Sequence, residues 1–144
     1  MMAGMTIIVR TVVRLLFPFT LLFGVYVIAH GHLTPGGGFP GGVIIALSFL
    51  MLILAYGIEA AKAKLGSLTV EIAESLGALM IVGLGMIGLV IGAAFLQNVL
   101  PHGSPGSLLS AGILPLLYLA VGIEVSAGII TIFYSILRRH EEGK

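Results

Sequence analysis

The chain has 144 residues, 58% hydrophobic and 9% charged, with net charge +1 and no cysteine. Soluble domains carry about a quarter charged residues, so this deficit excludes a soluble catalytic domain and predicts one domain of several membrane spans. The small net charge excludes a broad nucleic-acid-binding field. The lack of cysteine excludes disulfides, thiolate metal sites, cysteine-ligated iron–sulfur clusters and thiol catalysis.

The first predicted span covers residues 8–30. Arg10 and Arg14 ahead of the apolar run Leu15–Ile28 imitate a secretory signal; the stretch is read here as a retained membrane helix. Pro18 cannot donate to the Arg14 carbonyl, which predicts a kink. Arg10 and Arg14 stand one turn apart, placed to snorkel to anionic lipid or to bind a neighbouring subunit.

The segment Gly31-His32-Leu33-Thr34-Pro35-Gly36-Gly37-Gly38-Phe39-Pro40-Gly41-Gly42 follows. Its irregular backbone needs partners from protein or water. Residues 36–41 match G-x-G-x-x-G, but no strand precedes them and a membrane span follows, so the dinucleotide reading is rejected. The favoured reading is a compact docking turn in which glycines take positive φ and allow close backbone approach.

The second span is predicted over 41–59, the third over 72–96 and the fourth over 111–137, with Pro115 in its first turns. Glu71 and Glu74 fall in the expected first turn of span three, which suits a helix N-terminus. Gly88 and Gly92 form a GxxxG pair, predicted to pack against a helix of this chain or of a partner. Residues 138–144 read as a solvated helix end. The fold class expected is therefore an all-α, four-helix integral membrane protein.

All seven Lys and Arg residues (Arg10, Arg14, Lys62, Lys64, Arg138, Arg139 and Lys144) fall on one side of this topology. The positive-inside rule makes that side, with both termini, cytoplasmic. The two connections without basic residues, 30–40 and 97–110, fall outside.

Glu124 is the sharpest site candidate, because a charge near a span midpoint costs at least about 2.5–3.5 kcal/mol. Its helical neighbours Ala120, Val121, Ala127 and Gly128 are mostly small, a face that admits another helix. Glu124 is expected to face protein or a hydrated cavity, either bordering an ion or proton path or forming a structural hydrogen bond. Glu59 and Glu74 are expected near the cytoplasmic span ends, as ion-path residues or as interfacial anchors, with Lys62 near enough to pair with Glu59. His30, His32 and His102 lie on the outer side, but their spacing supports no metal site; a hydrogen bond or pH-sensitive contact is favoured. No cofactor is implied.

The segment from Gly31 to Gly42 closely resembles the signature of the MrpB (MnhB) family, small membrane subunits of multisubunit Na+/H+ antiporters. Related subunits occur in archaeal membrane-bound hydrogenases and sulfane sulfur reductases. Arg14-Leu15-Leu16-Phe17-Pro18 and the stretch from Ala120 to Gly128 also look like this family, and the likeness extends over nearly the whole chain. The resemblance implies a non-catalytic subunit that helps move Na+ or H+ among other membrane subunits. In the redox complexes it implies that ferredoxin oxidation at a peripheral arm drives pumping. Several antiporter members carry an acid earlier in the last span, where this chain has Leu117-Tyr118; the acid here is Glu124, which favours the archaeal respiratory version. Two other readings stand beside this one: a purely structural docking subunit, and an independent small transporter or membrane enzyme.

Overall fold

The computed structural model describes residues 5–108 and 110–142, with side chains as far as His140. It is all-helical: α1 (Ile7–Ala29), α2 (Gly38–Tyr56), a short α3 (Ile58–Lys64), α4 (Ser67–Val90) and α5 (Leu114–Glu142). The helices α1, α2, α4 and most of α5 are long and apolar enough to cross a membrane. They stand in the row α1–α2–α5–α4, with α1 also reaching α5. Half of the α2 span is buried, against 17% for α1 and α4, which makes α2 the centre of the row.

The crossings are made by glycine. A Cβ on Gly24 would lie 3.1 Å from the Gly41 carbonyl oxygen, and one on Gly41 would lie 2.9 Å from the Gly24 carbonyl oxygen. These two residues therefore bring the α1 and α2 backbones into direct contact. On the adjacent face of α2, Gly38 meets Tyr118 and Val121, and Gly42 meets the Gly122 backbone and Val125 of α5. The glycine-rich segment is thus only partly a turn. Gly37, at φ 127 and ψ −169, is the N-cap, in a region open essentially to glycine. Gly38, Gly41 and Gly42 already belong to α2 and are buried between α1 and α5. Pro40 sits in the first turn, where no intrahelical donor is lost. The last glycines of the segment contact this chain's own helices, while Phe39 is 64% exposed.

Two predicted boundaries also move. Gly57, at φ 90, ends α2 at Tyr56, so Glu59 falls on α3 rather than in span two. Helix α4 runs 67–90 instead of 72–96, because Gly92 takes φ 76 and reverses the chain. The Ala93 amide donates to the Gly88 carbonyl (2.9 Å) and the Gly92 amide to the Leu89 carbonyl (3.0 Å), which is a Schellman termination. Phe95 then folds back over Gly85, and the Ala94 carbonyl lies against Gly88. The Gly88–Gly92 pair therefore does not pack a helix within this chain. Gly88 admits the returning turn, and Gly92 has open space around it.

The described Lys and Arg residues gather at one end of the row; Lys144 lies outside the described residues. There Arg10 Nε donates to the Ala55 carbonyl (3.3 Å), Tyr56 Oη to the Arg10 carbonyl (2.9 Å) and Tyr134 Oη to the Leu65 carbonyl (2.9 Å). A buried cluster of Ala46, Ile53, Ile58, Ala61, Val70, Ala127, Ile130 and Tyr134 joins α2 to α5 at this end. At the other end Asn98 organises the long connection. Its amide donates to the Ala111 carbonyl (3.1 Å) and its Oδ1 accepts the Ile113 amide (3.2 Å) at the start of α5. His32 Nε2 donates to the Ser107 carbonyl at 3.1 Å. Helix α1 is continuous through Pro18, where Thr20 Oγ1 donates to the Leu16 and Phe17 carbonyls.

Gly41→Ala is expected to destabilise the fold by about 1–3 kcal/mol, because its Cβ would meet the Ile28 side chain and two backbone atoms, the Gly24 carbonyl oxygen and the Ile28 nitrogen, that cannot rotate away. Gly83, in the same kind of helical interior, has nothing within 4 Å of its Cβ position, and Gly83→Ala should be neutral or mildly stabilising. Detergent unfolding followed by circular dichroism distinguishes the two; equal curves for Gly41→Ala and wild type contradict the glycine crossing.

Candidate functional site: a carboxylate seam between α4 and α5

Helix α5 shows two faces to two neighbours. Ala120 and Ala127 are buried, and Ala127 packs with Ala46 of α2 in the main cluster. The face carrying Glu124, Gly128 and Thr131 has i, i+4, i+7 spacing and meets α4. On α4, Glu74 and Gly77 meet it at i, i+3 spacing. A Cβ on Gly77 would lie 2.7 Å from Glu124 Cβ and 2.8 Å from its amide nitrogen. Gly77 thus removes a side chain where Glu124 must pass α4. One turn toward the basic end, Glu74 Oε2 accepts a hydrogen bond from Thr131 Oγ1 at 2.9 Å. Its Oε1 lies 3.7 Å from the Cβ position of Gly128.

The depth of this seam follows from the helix boundaries. Gly77 is ten residues into α4 and Glu124 ten residues into α5, about 15 Å from each helix start at 1.5 Å per residue. Glu74 is about 10 Å inside α4, because the helix starts at Ser67 and not near residue 72. Two carboxyl groups and one hydroxyl therefore share a half-buried seam. Among the described residues, the Glu124 carboxyl has no hydrogen-bond or ion-pair partner. Such oxygens suit proton exchange or a hard cation.

The third expected acid is elsewhere. The Glu59 side chain is 83% exposed on α3 and pairs with Lys62 at 3.6 Å, which makes it part of the surface of the basic end. The span-four position preceding the acid is also filled differently: the Tyr118 ring lies against Gly31 and Gly37. The histidines are engaged separately, His30 with the Tyr26 carbonyl, His32 with Ser107 and His102 with Asn98. Within the connecting segment Pro35 and Gly36 are exposed.

Sequence reading missed Thr131, Gly77 and Asn98. Thr131 and Gly77 had a signal, since each completes a helical spacing that begins at an acid. Asn98 had none, because the backbone groups it ties at the start of α5 are thirteen and fifteen residues away.

Residues 8–131 match the domain related to the MnhB subunit of Na+/H+ antiporters. An uncharacterized protein of Methanocaldococcus jannaschii is 37% identical, over 81% of this chain and 48% of its own length. The putative antiporter subunit mnhB2 of Staphylococcus aureus strain Newman is 33% identical, over 83% of this chain and 89% of its own. Among solved structures, a chain of the membrane-bound sulfane sulfur reductase, an archaeal respiratory membrane complex, is similar at 38% identity and TM-score 0.78, over 92% of this chain and 58% of that one. A chain of the Mrp complex from Dietzia sp. DQ12-45-1b is similar at 25% identity and TM-score 0.70, over 87% of this chain and 13% of that one. The chain thus spans about half the length of its Methanocaldococcus relative and little more than half of the reductase chain. Four apolar helices and a match over most of its length make this a multi-pass membrane protein, and it belongs to the MnhB family of Na+/H+ antiporter subunits.

Proposed function

We propose that this chain is a non-catalytic membrane subunit of a multisubunit ion-translocating complex, and that its α4–α5 seam borders the path of Na+ or H+. The observation that carries this reading is the placement of Glu124 and Glu74 on one intramembrane seam, with Gly77 clearing space beside Glu124. A charge at this depth costs about 2.5–3.5 kcal/mol, an arrangement that fits exchange with a proton or cation better than packing alone. Glu59 serves the surface of the basic end and takes no part in the path. Other membrane subunits are the partners, and they cover the exposed apolar sides of α1 and α4.

The host complex is read as respiratory rather than a stand-alone antiporter. Likeness to the sulfane sulfur reductase chain, at 38% identity, exceeds likeness to the Mrp chain, at 25%. The basic end is cytoplasmic, by the positive-inside rule.

A structural docking role is the competing reading, favoured by the Glu74–Thr131 bond that already ties α4 to α5. Glu124→Gln in the assembled complex separates the two. Ion transport in inverted vesicles is expected to fall at least about tenfold, by analogy with the loss of one acid–base group, while subunit composition stays intact. Normal transport removes Glu124 from the path, and loss of assembly supports docking. Glu74→Gln keeps an acceptor for Thr131 and is expected to assemble normally with slowed transport; unchanged transport limits the path to Glu124. Co-purification with a nickel–iron hydrogenase-like subunit is expected for the respiratory reading, and its absence favours a stand-alone antiporter.

Because the chain has no cysteine, single cysteines report its orientation. Ser104→Cys is expected to react with an impermeant maleimide in intact cells and Ala63→Cys only after lysis. The reverse pattern inverts the topology.

A further inference from the structure

A cavity of about 210 Å3 opens at the basic end between α1, the last turns of α2 and α3, lined by Arg14, Phe17, Leu52, Tyr56, Ala60 and Lys64. Its lining is mixed. Tyr56 and Lys64 stand at the helix ends, whereas Leu52 on α2 and Arg14 on α1 are each one turn deeper than the Tyr56–Arg10 contact, about 6 Å at 1.5 Å per residue. Phe17 completes the apolar floor, its ring held edge-on by Phe49 at 5.4 Å and 79°.

The upper wall is fixed by neighbouring bonds. Arg10 donates to the Ala55 carbonyl, and its guanidinium lies 5.7 Å from the centre of the Tyr56 ring. Tyr56 in turn donates to the Arg10 carbonyl. Arg10 is therefore committed to closing the end of α2, where exposed carbonyls would otherwise repel an anion. Glu59, the acid on α3, is held by Lys62. Arg14 and Lys64 have no ion pair or hydrogen bond among the described residues. Two uncommitted cations thus face a cavity whose floor is hydrocarbon.

We propose that this cavity binds one anionic phospholipid, with its phosphate between Arg14 and Lys64 and its first acyl carbons against Phe17 and Leu52. Two cations and an apolar surface from Phe17 and Leu52 line one cavity, the combination that a phosphate joined to acyl carbons requires. Free phosphate has no use for the floor. A carboxylate from a partner helix uses the rim and leaves the floor unfilled. Juxtamembrane cations gain most against anionic lipid surfaces. The proposal needs the basic end to lie at a membrane surface; it does not depend on the ion path.

The test is native mass spectrometry of the full chain in neutral detergent, titrated with phosphatidylglycerol or phosphatidylcholine. Wild type is expected to retain one phosphatidylglycerol with a preference of roughly tenfold or more, as two interfacial cations provide. Arg14→Gln with Lys64→Gln should abolish that preference, while Arg139→Gln should keep it. Ala60→Leu leaves both cations in place but fills the cavity, and it should also lose the lipid. Thermal melting of each variant distinguishes lost binding from lost folding. Four results overturn the proposal. One is a wild type with no preference between the two lipids; another is a preference that survives in the folded double variant. A third is displacement of phosphatidylglycerol by excess inorganic phosphate, which assigns the rim to phosphate alone. The fourth is an assembled complex without the lipid that the isolated chain holds, which assigns the rim to a partner's acid.

Discussion

Direct backbone contact between α2 and its two neighbours is the constraint on which the other features depend. Within a bilayer, apolar side chains gain nothing by leaving lipid for one another, so helices associate where their backbones can approach. Gly24 with Gly41, and Gly38 and Gly42 with Gly122, provide that approach on two sides of α2. With α2 clamped, α5 has only one remaining face for α4. That face carries Glu124, Gly128 and Thr131, so the clamp decides which side chains form the seam.

The seam combines economy of space with unsatisfied polarity. Gly77 lets α4 lie against the backbone of Glu124, while Glu74 and Thr131 bond across the same interface. One carboxyl is tied and the other is free among the described residues. A static helix pair has little reason to keep the second acid at this depth, and this asymmetry is the physical basis for reading the seam as part of an ion path. At the basic end the same economy appears in Arg10, which satisfies a helix terminus and braces Tyr56, while Arg14 one turn away is left uncommitted.

Much of the fold was legible in the sequence. The number of spans, the grouping of basic residues and the depth of Glu124 rest on hydropathy and spacing, which are local. The helix ends were less legible. Residues 91–96 are as apolar as the helix before them, and only the left-handed Gly92 ends it. Gly57 ends α2 in the same way. A glycine's side chain carries no hydropathy signal to separate a packing position from a break, so Gly88 and Gly92 read as one motif although they do different jobs. The α4 start at Ser67 instead of 72 puts Glu74 in the second turn of its helix and not in the first.

By itself the sequence determined a four-span membrane protein, its charge asymmetry and its family, and it singled out Glu124 in the middle of the last apolar run. These follow from composition, local periodicity and a contiguous motif. The tertiary structure decided which glycines touch which helix, that Glu74 joins Glu124 on one seam while Glu59 stays outside, and that Arg14 and Lys64 line one cavity. Those pairings, from Gly24 with Gly41 to Gly42 with Gly122, join residues from 17 to 80 apart in sequence, and they depend on the order in which helices stand beside one another, which no local pattern specifies.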